Sequence, residues 1–179
     1  MKRLIVVGTD HRLQQTVTQD PRSKTWFPRT GGRNFRRLVV HCIDRLGAQA
    51  ILEEVHPDQE QREPTICSRI AKERGLTWMC IGSGEPGISD ALFERPPQEA
   101  LQLGIRPVML AGRHVLNTHR KREEIMRAGI AESFKHHDCV LAVVGFVHLA
   151  VLAYHFEAEK IEVEPLMFTF PLVVNEAIS

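Results

Sequence analysis

The stretch CVLAVVGFVHLAVLAYHF, residues 139–156, decides the fold class, because a buried strand, a turn and a helix follow one another in it without a break. CVLAVV is a continuous apolar run, as expected of a strand covered on both faces. Gly145 then opens a Gly-x-x-His pattern that ends at His148. Behind it LAVLAYHF is apolar nearly all round, which predicts a largely buried helix.

The N-terminus repeats the arrangement. RLIVV (3–7) runs into GTDH, with Gly8 and His11 in the same Gly-x-x-His spacing. With 9 histidines and 12 glycines in 179 residues, chance alone supplies about 0.6 such matches, so position along the fold must carry the argument. Between these ends, strands and helices alternate. Asn34 is expected to cap a helix through FRRLVVHCIDRL, with Phe35, Leu38, Val39, Cys42, Ile43 and Leu46 on one face and Gly47 as its stop. AQAILEEV is the second strand. Pro64 is expected in the first turn of a helix through TICSRIAKER that Gly75 closes, and LTWMCIG is the third strand. Thr118 is expected to cap a helix reaching about His136. KIEVE and MFTFPLVV supply one or two terminal strands, while PVML (107–110) reads as a brief strand or a loop anchor. The pattern predicts a single α/β domain over 1–179, a layered fold with a mainly parallel central sheet flanked by helices.

Composition narrows the function. The chain is 43% hydrophobic and 25% charged with a formal charge of +1, so no global field points to nucleic acid or acidic partners. The polar stretch 22–37, with 6 basic residues, is expected to be a long loop beside the site, and HRKR (119–122) a second basic run. Neither is accompanied by a nucleic-acid-binding motif, so a solvated basic face is favoured. The apolar run behind Lys2 and Arg3 is too short for a signal peptide or a membrane span, and a cytoplasmic protein is expected. Cys42, Cys67, Cys80 and Cys139 form no Cys-x-x-Cys, and Cys80 and Cys139 read as reduced core residues.

In open parallel sheets, ligands bind at the carboxyl ends of the strands. His11 follows the first strand, Glu53 and Glu54 end the second, and His148 follows the fourth. Gly8 and Gly145 are expected to turn the backbone sharply off their strands and to line the binding rim. The imidazoles of His11 and His148 are expected within about 8 Å of each other. Only one of two successive strand residues can face the site, and Glu53, directly behind the apolar AIL, is favoured. Arg122 shares a helical stripe with Ile125, Met126, Gly129, Ile130 and Ser133, so it should face inward and pair with Glu53 or Glu54. His56, His114, His119, His136, His137 and His155 read as surface or structural residues.

The order VVGTDH, AILEE ending a strand, REEIM, and VLAVVGFVH running into a helix resembles the TIKI/TraB family, in a superfamily with erythromycin-esterase-like and ChaN-like proteins. The resemblance spans residues 3–163 as an ordered set of anchors. It implies an α/β fold, shared with members several of which are hydrolases or proposed metal-dependent hydrolases, with His11, His148, one of Glu53 and Glu54, and Arg122 at the functional positions.

Two histidines and a carboxylate can hold a divalent metal with an open position for water, and His11, His148 and Glu53 are the expected ligands. The same groups could activate water without metal. A non-catalytic pocket for haem or an anionic small molecule is the alternative from a different class. The expected partners are a small-molecule or peptide substrate and, in a homodimer, a second copy of the chain. A membrane is not expected.

Overall fold

Neighbouring residues of a strand point to opposite faces, so a strand apolar at every position must be covered twice. In β1 (Arg3–Thr9), Leu4 and Val6 enter one core and Ile5 and Val7 another, and all four are fully buried. The computed structural model describes residues 1–9, 29–55, 64–83 and 107–168; for 29–31 and 107–118 it describes the backbone only.

After β1 come α1 (Arg29–Asp44), β2 (Ala50–Glu53), α2 (Ile66–Arg74), β3 (Thr77–Cys80), α3 (Pro107–Ser133) and β4 (Cys139–Gly145). A 3-10 turn (Phe146–His148) leads into α4 (Leu149–Ala158), and β5 (Glu162–Met167) follows. Among the described residues the fold is an α/β sheet of five strands in the order β3-β2-β4-β1-β5, with every pairing parallel. Phe35, Val39 and Cys42 of α1 and Cys67, Ile70 and Ala71 of α2 pack on the face bearing Ile5, Ile51, Leu141 and Val143. Met126 and Ile130 of α3, with Leu149, Leu152 and Phe156 of α4, pack on the face bearing Leu4, Leu52, Val140 and Ala142.

Strand order creates the crevice. The chain leaves β2 for β3 at one edge and leaves its neighbour β4 for β5 at the other. Connections that diverge from adjacent parallel strands open a cleft at their carboxyl ends. Two glycines stop elements as expected, Gly47 at φ 80° and Gly75 at φ 65°, a left-handed region that glycine enters without a Cβ clash.

Several local expectations are corrected. The helix expected from Asn34 begins at Arg29, so Asn34 is an exposed residue inside it and 29–37 is not loop. Thr65, not Pro64, starts α2: its side chain accepts the Ser68 amide at 3.0 Å. PVML is helical, because Pro107 occupies the first helical position, where its missing N–H costs nothing. Thr118 therefore lies inside α3, and α3 ends at Ser133 rather than near His136. Ile125 is 43% exposed, outside the inward stripe expected of it, and Tyr154 is 78% exposed, so α4 is not covered all round. Cys42 and Cys67 are the fully buried cysteines, whereas Cys80 and Cys139 are half-buried; none of the four forms a disulfide. Of the second terminal strand expected in MFTFPLVV, Met167 belongs to β5 and the part beyond Phe168 lies outside the described residues. No helix among the described residues is long and apolar enough to cross a membrane.

Candidate functional site

Glu54 is the residue after β2, and its parity follows Ala50 and Leu52, so it faces α3 and α4. Its amide donates to Val143 O at 2.8 Å, which holds this first post-strand residue beside β4. Its carboxylate is fully engaged: Oε2 accepts the Gly145 amide at 2.7 Å and Oε1 accepts Arg122 Nη2 at 2.5 Å. His148 Nε2 stands 3.5 Å from the same Oε1, and both side chains are 1% exposed. A carboxylate withdrawn from water needs this density of donors, and the guanidinium supplies the compensating charge.

α3 contributes more than Arg122. Its approach to the sheet is close at Gly129, where a Cβ would come within 2.6 Å of Ile81 Cγ2. That seating sets the helix turns upstream over the crevice. Glu123 Oε1 lies 3.1 Å from His148 Nδ1, and the rings of His119 and His148 are 4.9 Å apart centre to centre. His119 and Glu123 are four residues apart and therefore share a helix face. One donor atom each from His119, Glu123 and His148 fall within 4.8 Å of one another. Desolvation, then the neighbouring His148 and Arg122, lower the His119 pKa, which favours the neutral imidazole that a metal requires.

Glu53 is in the opposite core. It follows the parity of Ile51 and faces α1 and α2, where Oε2 accepts Thr65 Oγ1 at 2.5 Å and Trp78 Nε1 at 2.9 Å. Burial raises its pKa to about 7, against the lowering effect of hydrogen bonds from Thr65, Trp78 and Cys67. The choice of Glu53 as the site carboxylate, and as a metal ligand beside His148, is therefore corrected: the carboxylate that meets Arg122 and His148 is Glu54. The physical reason is the pleat, which turns one of the two glutamates to each face.

The other expected residues divide. Arg122 faces inward and reaches Glu54, while His11 lies outside the described residues. Gly145 sits at φ −57°, ψ 138°, ordinary backbone, and serves through its amide on Glu54. Gly8 is a contact glycine, since a Cβ there would meet Leu149 Cβ at 3.0 Å and Phe146 Cα at 3.2 Å. His155 is occupied with Glu159 at 3.1 Å and Arg127 at 3.4 Å, away from the crevice. Sequence reading missed His119 and Glu123. The signal was their i, i+4 spacing, hidden by an expected helix start at Thr118 that left His119 at a frayed end.

No family model matches the chain, and comparison with curated proteins and with solved structures likewise finds no match.

Proposed function

We propose that the protein is a hydrolase of small-molecule or peptide substrates, with its reacting centre at His148, Glu54 and Arg122 and with a divalent ion assisting. One observation carries this reading: a buried imidazole and carboxylate and a partly buried guanidinium converge at the β2/β4 switch point, where an α/β sheet binds ligands. The resemblance to the TIKI/TraB family supports the same chemistry at matching positions.

Each group has a distinct task. Glu54, fixed by the Gly145 amide and Arg122, holds the His148 ring in one orientation. Arg122 commits Nη2 to Glu54, while its Nε is buried without a hydrogen-bond partner among the described residues. That spare N–H is a donor for the oxyanion that forms when water adds to a carbonyl or phosphoryl group. A bound divalent ion would supply the acidified water. Phe146 and Val147, which precede His148 in the 3-10 turn, are both half-exposed and would offer an apolar contact to an uncharged portion of the substrate.

The test is turnover of p-nitrophenyl acetate, p-nitrophenyl phosphate and a fluorogenic peptide library, with Zn2+ or Mn2+ supplied. At least one class should be hydrolysed, and Arg122→Lys should lower kcat/KM about 100-fold, the scale of one lost oxyanion donor. Absence of turnover in all three classes, or an unchanged rate in Arg122→Lys, would overturn the reading.

A further inference from the structure

We infer that His119, Glu123 and His148 form a binding site for one borderline divalent cation of the Zn2+ type. The inference deepens the reading of the same site; only the use of the ion in hydrolysis rests on that reading, not its binding.

Two imidazoles and one carboxylate suit Zn2+ and its neighbours better than Mg2+ or Ca2+, which take mainly oxygen ligands. Three protein ligands also leave a coordination position open for water or substrate. The spacing is close to that needed. Ligands about 2.1 Å from a tetrahedral ion stand roughly 3.4 Å apart, and His148 Nδ1 and Glu123 Oε1 are already 3.1 Å apart. The whole donor set lies within 4.8 Å, so a rotation of the half-buried His119 ring completes the approach.

The outer contacts fit as well. A metal-bound histidine usually donates its second ring N–H to a carboxylate, which fixes the tautomer and makes the ligand nitrogen more basic. Here Nδ1 of His148 faces Glu123, and Nε2 faces Glu54 at 3.5 Å. Glu54 is held in turn by Arg122 and the Gly145 amide, so it orients the ligand rather than joining the ligand set. The ion would take the place of the proton between Nδ1 and Glu123. The site also joins two elements, α3 and the turn after β4, so binding should stabilise the fold.

The experiment is a Zn2+ titration of the full chain by equilibrium dialysis, with thermal melts in parallel. The wild type should bind one equivalent per chain and melt at a higher temperature with Zn2+. His119→Ala and Glu123→Gln should each weaken binding at least 30-fold and lose the thermal shift. Both residues are only partly buried, and melts without Zn2+ confirm folding. A His136→Ala/His137→Ala double variant removes an adjacent pair just beyond α3, His136 exposed and His137 half-buried, and should bind as the wild type does. Failure of the wild type to bind one equivalent, wild-type affinity in both single variants, or loss in the 136/137 variant instead would overturn the site. A wild type that hydrolyses a substrate but binds no Zn2+ in the dialysis would overturn this site and leave the hydrolase reading standing. Stoichiometric binding without turnover of any substrate class would overturn the hydrolase reading and leave the site.

Discussion

Arg122 on α3 and Glu54 behind β2 are 68 positions apart in the chain and share a hydrogen bond of 2.5 Å, which fastens the long helix to the carboxyl edge of the sheet. Glu54 is 1% exposed and Arg122 15%, so water screens the pair poorly.

Arg122→Ala should therefore destabilise the fold by about 3 kcal/mol, the lower end for breaking a buried pair, because Glu54 keeps its Gly145 donor. Arg120→Ala, at an exposed position two residues away, should shift stability by less than about 0.5 kcal/mol. Thermal melts of the two variants side by side check this, and equal small shifts would contradict it.

Glu53 makes stability depend on pH. Its folded pKa of about 7 lies above the ordinary value of 4.5, because burial penalises the carboxylate. The folded state therefore holds the proton more tightly than the unfolded chain. This contribution is fully present below about pH 4.5 and is lost as pH rises through about 7, a change of about 3 kcal/mol. The adjacent Cys67 thiol, also raised by burial, stays neutral throughout this range. Glu53→Gln removes the titrating group, so its urea midpoint should vary less between pH 5 and pH 8 than that of the wild type. An identical pH dependence in the two proteins would refute the assignment.

Thr65 has two roles in one hydroxyl, capping α2 through the Ser68 amide and donating to Glu53. Thr65→Val should cost about 1 kcal/mol or more from the lost cap. The Thr65 hydrogen bond lowers the Glu53 pKa, so its loss should also move the pH-dependent window upward. Urea unfolding across pH 5 to 9 reads both effects, and an unmoved window would separate Thr65 from Glu53.

Gly8 and Gly32 should respond oppositely to alanine. At Gly8 the new methyl meets Leu149 Cβ at 3.0 Å and Phe146 backbone at 3.2 Å, so β1 and the turn bearing His148 must part. A loss of about 1–3 kcal/mol is expected. At Gly32, inside α1, the nearest atom is the flexible Ile66 Cδ1 at 3.6 Å, and alanine should gain about 0.5–1 kcal/mol in helix preference. Chemical denaturation of both variants checks the signs.

Much of the fold was legible because its signals are local. Doubly covered strands such as RLIVV and CVLAVV are apolar at every position, and the face Phe35, Val39 and Cys42 repeats with helical period. Arg122 was legible for the same reason, since Met126 and Ile130 mark its side of α3 as the buried side. Helix starts were less so. Asn34 and Thr118 have cap chemistry, but a helix continues through such residues when nothing upstream stops it, as happens from Arg29 and from Pro107.

By itself, then, the sequence determined the strands, the inward arginine and the placing of His148 and a glutamate pair behind strand ends. Which glutamate serves the site, and that His119 and Glu123 join it, only the tertiary structure decided. Strand parity separates Glu53 from Glu54 but does not say which face receives α3 and α4. That depends on β4 entering between β2 and β1 and on which side the later helices cross, a matter of long-range packing.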